Sequence, residues 1–255
     1  MSEMEATTAQ NEAAIGPHQE AIRAMMDAGV FYGRKKSRTH PRMRNFILHN
    51  RNGIGIINLY KTLEVLEEAS KLLTAKSHEG GSVVIVATQP AFNDLVEKFG
   101  ADHKVAYVCK RWLGGTLTNY QIISKRIEYY RQLKKNWETN AFEKYTKKER
   151  VGIERELNRL HEFFSGLDTV NKLPDLMIVI DPTLHAIAVR EARQLKIPVI
   201  ALTNVDSNPD LLDYPVVGNN KSRESVKWFL DQMTLAFNVK KPAAPAPVAA
   251  PAAAE

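Results

Sequence analysis

Short runs of β-branched residues alternate with segments of helical periodicity along much of this chain. Ser82–Ala87 (Ser-Val-Val-Ile-Val-Ala) and Leu176–Ile180 are typical of strands that are buried on both faces. Further strands are expected near Val105–Cys109 and Val199–Leu202. Helices are expected over residues 17–28, 61–77, 91–99, 186–195 and 223–237. This alternation predicts an α/β fold with a doubly wound parallel sheet.

The central region has a different pattern. The first helix begins after Asn119, and its apolar residues fall on heptad positions that are broken at Lys134: Ile123, Ile127, Tyr130 and Trp137. Thr146–Glu149 has the sequence of a capping box that starts a second helix. The apolar residues of this second helix, spaced by four and three, are Ile153, Leu157, Leu160, Phe164 and Leu167. The spacing predicts an inserted antiparallel α-helical coiled-coil hairpin that projects from the sheet domain.

The two ends differ from the rest of the chain in composition. Residues 1–16 lack apolar periodicity, and the segment from Lys240 is almost entirely Ala and Pro, which favours an extended, solvated chain. No signal peptide or membrane-length apolar stretch is visible, and the single cysteine fits a reducing compartment, so a soluble cytoplasmic protein is expected. The expected units are a disordered N-terminus (1–16), a sheet domain (17–118 and 171–239), the coiled-coil hairpin (119–170) and a disordered tail (240–255).

The charge of the chain indicates an anionic partner. The 35 Lys and Arg residues exceed the 29 Asp and Glu residues by six. Since residues 1–16 contain three Glu and no Lys or Arg, the remainder carries +9. Such an excess favours nucleic acid first and an anionic membrane second.

Two basic tracts concentrate this charge. The first basic tract, residues 30–52, has seven Lys and Arg residues and no acidic residue, with Phe31, Tyr32, His40 and Phe46 interleaved. Cations neutralise phosphates and aromatic rings stack on unpaired bases, so this composition favours nucleic-acid contact over a solvated loop. A membrane patch is disfavoured because no apolar helix face accompanies the charges.

The second basic tract, residues 104–135, has eight Lys and Arg residues and one acidic residue, Glu128. Inside it, residues 110–119 (the Gly-Gly loop) follow the carboxyl end of a predicted strand, where doubly wound sheets bind ligands. Gly114–Gly115 permits a close backbone approach, and Asn119 is placed to cap the next helix. The predicted RNA-binding residues of the two tracts are Arg34, Lys35, Lys36, Arg38, Arg42, Arg44, Lys110, Arg111, Trp112, Thr118, Asn119 and Arg126.

Enzyme signatures are weak. No Gly-x-Gly-x-x-Gly follows a predicted strand, and Gly218–Ser222 resembles the end of a P-loop but has Pro215 and Asn220 where glycines are needed. Cys109 is expected in the core. Three aspartates at strand ends could bind a metal but fit turns better: Asp181, Asp206 and Asp210. We therefore predict no catalytic, cofactor or metal site.

Several motifs resemble the family of small ribosomal subunit protein two, bacterial type. The most specific is Arg-Trp-Leu-Gly-Gly-Thr-Leu-Thr-Asn at residues 111–119. The other matching segments, in order, are 28–30, 51–54, 61–62, 142–149, 173–175, 181–182, 188–192, 197–199 and 207–210. The resemblance covers residues 17–239.

This resemblance implies a flavodoxin-like sheet with a coiled-coil hairpin and no enzyme activity. It also implies a structural role between the head and body of the small ribosomal subunit, with contacts to ribosomal RNA and to the neighbouring protein one. Family histidines are absent around Phe31 and Arg34, and His185–Ala186 and Thr203–Asp206 also depart from the family pattern, so contacts at these places are expected to differ.

Two hypotheses from different classes remain. One is a structural RNA-binding protein of the ribosome, and the other is a doubly wound enzyme that binds a nucleotide or a phosphorylated metabolite.

Overall fold

The computed structural model describes residues 17–168, 170 and 172–239, so both predicted disordered ends lie outside the described residues. The helices of the described part are α1 (Pro17–Asp27), α2 (Leu59–His78), α3 (Asn93–His103), α4 (Tyr120–Glu138), α5 (Lys147–Phe164), α6 (Ala186–Gln194) and α7 (Arg223–Asn238). Its strands are β1 (Tyr32–Lys35), β2 (Ile47–Arg51), β3 (Ile54–Ile57), β4 (Val83–Val86), β5 (Ala106–Val108), β6 (Leu176–Ile180), β7 (Val199–Thr203) and β8 (Tyr214–Val217).

The central element is a five-stranded sheet with the order β5-β4-β6-β7-β8, in which every neighbouring pair is parallel. Numbered by chain order within the sheet, this is 2-1-3-4-5, the order of flavodoxin-like doubly wound sheets. The predicted parallel sheet is confirmed. Strand β8 was not predicted because it contains Pro215, which lacks the N–H donor that a central strand needs. Proline is tolerated here because β8 is an edge strand.

Helices cover both faces of this sheet because successive strand side chains point to opposite sides. In β4, Val83 and Ile85 pack into one hydrophobic cluster with α1, α2, α3 and α7. Val84 and Val86 pack into a second cluster with α4, α5 and α6. The same alternation explains why β4 and β6 have no polar position and read as continuous apolar runs.

The inserted region forms two helices, α4 and α5, that pack against each other. The predicted capping box begins α5: the Thr146 N–H donates to Glu149 Oε2 over 2.9 Å, and the Glu149 N–H reaches Thr146 Oγ1 over 3.5 Å. Ile127 and Leu160 are buried near the sheet, whereas Ile153 and Leu157 are only half-buried. The helix pair is therefore packed most tightly against the sheet, and its coiled-coil geometry stays a prediction.

A small antiparallel sheet with the order β1-β3-β2 lies at the carboxyl ends of β7 and β8. Its β2–β3 hairpin turns at Asn52 and Gly53, whose φ angles are 50° and 76°. Positive φ at both central residues is what a tight hairpin turn requires, and Asn and Gly adopt it more readily than other residues. Met43 and Ile57 from this region pack with Val205 and Val217, which follow or end β7 and β8.

Candidate nucleic-acid interface

The first basic tract is held on the carboxyl edge of the main sheet by main-chain contacts. The Asn204 side chain donates to the Tyr32 carbonyl over 3.4 Å, and the His40 N–H donates to the Val205 carbonyl over 2.8 Å. Gly33 lies against the neighbouring strand so closely that a Cβ there would come within 2.5 Å of the Gly55 carbonyl oxygen. The tract is thus fixed at the ends of β7 and β8.

Two cations of this tract are paired within the protein. Arg34 Nε donates to Asp206 Oδ2 over 3.2 Å, and its guanidinium also donates to Asn220 Oδ1 over 3.3 Å. Arg42 forms an ion pair with Asp210. These arginines attach the tract to the loops after β7 and β8, so much of their donor capacity is used internally.

The remaining predicted cations of the tract are exposed. They are Lys35, Lys36, Arg38 and Arg44, and none of them takes part in an ion pair among the described residues. Their Lys and Arg heads are the groups of this tract that are available to a phosphate.

The Gly-Gly loop follows β5 and is organised around one carboxylate, that of Glu191 on α6. Glu191 Oε1 accepts from Trp112 Nε1 over 3.1 Å and from the Gly115 N–H over 2.8 Å. Its Oε2 accepts from the Leu117 N–H over 3.0 Å, and from the Thr118 N–H and hydroxyl over 3.3 Å each. Glu191 is only 7% exposed. A buried carboxylate is stable when hydrogen bonds satisfy it in this way.

The protonation of Glu191 follows from these contacts. Burial by itself would raise the pKa of this carboxyl. The hydrogen bonds from Gly115, Leu117, Trp112 and Thr118 outweigh the burial and hold the pKa of Glu191 below its usual value. The side chain is therefore ionised at neutral pH.

The predicted RNA-binding residues of the Gly-Gly loop fall into two groups. Lys110, Arg111 and Asn119 are exposed, and Thr118 is exposed but bonds through its hydroxyl to Glu191. Trp112 is only 8% exposed and packs in the cluster beneath α4 and α6, so its ring is not placed to stack on a base. Asn119 occupies the N-cap position of α4, but its side chain makes no capping hydrogen bond, so the capping expectation is wrong in that respect.

Helix α4 continues the second basic tract. Arg126 is exposed on it, near Ile122, which is 56% exposed, and Tyr129. By contrast, Arg131 donates to Asp168 Oδ1 over 2.9 Å and ties α4 to the end of the helix pair. Arg126 is thus an outward cation of this helix, and Arg131 is a structural one.

The first basic tract and the Gly-Gly loop of the second lie at the same edge of the sheet, since the carboxyl ends of parallel strands meet at one edge. The Gly-Gly loop follows β5, and the first basic tract contacts the ends of β7 and β8, three and four strands away. At about 4.8 Å per strand, the two are separated by roughly 14 to 19 Å. The fold therefore brings together two basic segments that are far apart in sequence.

The aspartates at the strand ends are bound by cations of the protein. Lys221 Nζ donates to Asp181 Oδ2 over 2.6 Å, which uses the lysine of the P-loop-like segment in an internal contact. Asp206 and Asp210 are the partners of Arg34 and Arg42. In the part of the chain that the structure describes, no group of three or more His, Cys, Asp or Glu residues could hold a metal ion. Cys109 is buried, as expected.

The residue that sequence reasoning missed is Glu191. One signal was present: α6 buries Ala188, Val189 and Ala192, and Glu191 lies on that same apolar face. A glutamate is almost never fully buried unless it is paired, so its position pointed to a set of donors elsewhere in the chain.

Comparisons with known proteins support a single family. The family model for Ribosomal protein S2 matches residues 25–239. Small ribosomal subunit protein uS2 from each of two strains of Thermus thermophilus is 39% identical over 216 residues. The alignment covers 85% of this chain and 84% of each relative.

No helix among the described residues is both long enough and apolar enough to cross a membrane. The chain belongs to the ribosomal protein S2 family and is a structural constituent of the small subunit of the cytoplasmic ribosome.

Proposed function

We propose that this protein binds small-subunit ribosomal RNA through the carboxyl edge of its parallel sheet, between the head and body of the subunit. The observation that carries the proposal is that the first basic tract and the Gly-Gly loop lie at this edge, with outward cations that take part in no ion pair among the described residues. The proposed contacts are phosphate contacts from Lys35, Lys36, Arg38, Arg44, Lys110, Arg111 and Arg126, with Asn119 beside them. Arg34, Arg42, Trp112 and Thr118 take the role of holding this surface in shape.

Electrostatics supports this assignment. A protein that neutralises phosphates releases counterions, so its affinity falls with salt in proportion to the number of contacts. The segments that form the edge contain few carboxylates, and the aspartates present there are bound by Arg34, Arg42 and Lys221. The outward side of the edge is therefore left with an excess of positive charge.

The test is the salt dependence of binding between the full chain and small-subunit ribosomal RNA. Replacing Lys35, Lys36 and Arg38 together by Ala should weaken binding and reduce the slope of log affinity against log salt by about 2 to 3, since each lost contact contributes roughly 0.7 to 0.9. The matched control replaces by Ala three exposed lysines on helices α2, α3 and α7, outside the two basic tracts: Lys71, Lys98 and Lys227.

The control should leave the slope close to that of the wild type. Equal losses in the two variants would mean that only net charge matters. An unchanged slope in the first variant would move the RNA site away from the first basic tract.

We further propose that the protein helps to attach the neighbouring protein one, through surfaces of the sheet domain other than the basic edge. This proposal rests on the family and not on charge or spacing. Small subunits from cells depleted of this protein should lack protein one while retaining most other proteins, as measured by quantitative mass spectrometry. Protein one at full stoichiometry would contradict the attachment role.

The proposed organisation is a sheet domain (17–118 and 171–239) that carries a coiled-coil hairpin (119–170). The contact between Tyr130 Oη and His161 Nδ1, 2.7 Å long, and the burial of Leu133 and Leu160 support side-by-side packing of the two helices.

A chain with the proposed RNA-binding role should sediment with the small subunit. Sedimentation in the soluble pool would favour the alternative, an enzyme that binds a nucleotide or a phosphorylated metabolite.

A further inference from the structure

The Gly-Gly loop has the form of an anion-binding nest, but the anion is already present. Main-chain N–H groups of Gly115, Leu117 and Thr118 converge on Glu191. Gly115 has a φ of 88°, a conformation that L side chains rarely adopt, and this turn directs its N–H inward. Converging N–H groups of this kind bind phosphates in other proteins.

An internal carboxylate changes what this loop can do. Because its N–H groups are used by Glu191, the loop cannot cradle a phosphate with its main chain while the carboxylate is in place. The groups that remain for a nucleic acid are outward side chains, those of Lys110, Arg111 and Asn119. The directions of these side chains depend on the main chain of the loop. Its N–H groups donate mainly to Glu191, which lies 76 positions after Gly115 in the sequence.

We infer that Glu191 is the positioning residue of the RNA interface: its carboxylate takes the place of a phosphate inside the Gly-Gly loop and thereby turns Lys110 and Arg111 towards the RNA. This inference rests on the proposed RNA-binding function. The Glu191 carboxylate would then be a buried anion of the interface. Its charge repels RNA at long range, but the loop conformation that it stabilises favours binding.

Charge and positioning predict opposite results for Glu191→Gln. If only net charge mattered, removing a negative charge from this basic edge would strengthen RNA binding. If Glu191 positions the loop, binding should weaken, because a glutamine amide has only one acceptor oxygen. In either orientation its NH2 group would face one pair of the loop's donors and leave that pair unsatisfied.

The experiment measures binding of the full chain to small-subunit ribosomal RNA over a range of salt concentrations. Glu191→Gln should reduce the salt slope by about 1 to 2, the loss expected for one or two phosphate contacts. The Lys110→Ala/Arg111→Ala variant should give a similar loss without changing the loop. Glu224→Gln, at an exposed glutamate on α7, is the matched control and should bind as tightly as the wild type or more tightly.

A spectroscopic readout separates positioning from a general loss of stability. The indole N–H of Trp112 donates to the carboxylate, so its NMR resonance should shift in Glu191→Gln and stay in place in Lys110→Ala/Arg111→Ala. If Glu191→Gln does not fold, Trp112→Phe removes only one of the donors, and a smaller reduction of the slope in the same direction is expected.

The outcomes distinguish this inference from the function on which it rests. Wild-type protein without salt-dependent binding to the RNA would overturn the proposed function itself. Salt-dependent wild-type binding, together with Glu191→Gln binding as tightly as the wild type, would overturn the positioning role alone. If Glu191→Gln does not fold, wild-type binding by Trp112→Phe would overturn it instead.

Discussion

The first basic tract and the Gly-Gly loop lie at one edge of the sheet but use their charges differently. The first tract is held by main-chain contacts and also by two of its own cations, since Arg34 and Arg42 pair with the carboxylates of Asp206 and Asp210. The Gly-Gly loop of the second is attached through its main chain, which Glu191 binds, and its cations remain outside. A count of basic residues therefore overstates the phosphate-binding capacity of the first tract and describes that of the loop more accurately.

The difference also separates the substitutions that affect stability from those that affect binding. In the first tract both kinds of substitution fall on Lys and Arg residues, and the structural ones, Arg34 and Arg42, differ from the others in having a carboxylate nearby. Around the loop, the residues that hold the structure are Glu191 and Trp112, and the residues that face outward are Lys110 and Arg111.

The largest expected effect concerns the helix pair beneath the second tract. Leu160 is 6% exposed and packs with Tyr130 and Leu133, whereas Leu157 is half-buried. Leu160→Ala should lower the free energy of unfolding by about 2–5 kcal/mol through lost burial and a cavity, and Leu157→Ala should cost less. Urea denaturation measures both.

The order of these two losses tests the position of the packed seam. A larger loss at Leu157 than at Leu160 would mean that the helix pair is held at its outer end and not against the sheet. An unchanged stability in both variants would contradict the heptad interpretation from which the hairpin was predicted.

A smaller effect should separate two arginines of the first tract. Arg34→Ala leaves the part-buried Asp206 and the buried Asn220 without their partner and should cost about 1–3 kcal/mol of stability. Arg38 is exposed, so Arg38→Ala should change stability by no more than about 0.5 kcal/mol. In RNA binding, only Arg38→Ala should reduce the salt slope, by roughly 0.7 to 0.9.

The opposite result for these two arginines would contradict the difference described between the two tracts. If Arg34→Ala reduced the slope and left stability unchanged, Arg34 would be a phosphate ligand like its neighbours. The first tract would then be held by its main-chain and hydrophobic contacts without a contribution from Arg34.

Much of the fold could be predicted because local sequence determined it. Leu176–Ile180 was predicted as a strand with the bounds that are observed, since a run of apolar residues of that length fits only a buried strand here. Thr146 and Glu149 carry the whole capping box within four residues. The Asn52–Gly53 turn is equally local, because both residues accept positive φ.

The parts that could not be predicted depend on contacts between distant residues. Arg34 is 172 positions from Asp206, so nothing near Arg34 distinguishes it from Lys35. Trp112 lies among basic residues and was predicted to bind RNA, yet it is buried by α4 and α6. Its indole and the loop N–H groups meet Glu191 only after α6 has packed on the sheet. Sequence indicated where the charges are, and tertiary structure determines which of them are free.

The smallest effect of a substitution is expected on the reactivity of Cys109, which directly precedes the Gly-Gly loop and reacts slowly in the folded protein. Burial, with a smaller contribution from Glu97, raises the pKa of this thiol to about 12. At pH 8 only about one thiolate in ten thousand would then be present, against roughly a quarter for an ordinary thiol with a pKa near 8.5. Alkylation of the folded protein should therefore be very slow, and mass spectrometry can follow it.

The rate of this alkylation gives a local probe of the second tract. Trp112→Phe loosens the loop next to Cys109 and should accelerate the reaction, whereas Arg34→Ala disturbs the other end of the sheet edge and should change the rate only as far as it changes global stability. The thiol of the unfolded chain ionises above about pH 8.5, whereas the buried thiol stays neutral, so the free energy of unfolding should decline as pH rises from there towards about 12. Cys109→Ala should abolish that part of the pH dependence. The contradicting result would be equal acceleration of Cys109 alkylation by Trp112→Phe and Arg34→Ala in variants of equal global stability. The two tracts would then open together, and their different attachments would not affect local opening at this edge of the sheet.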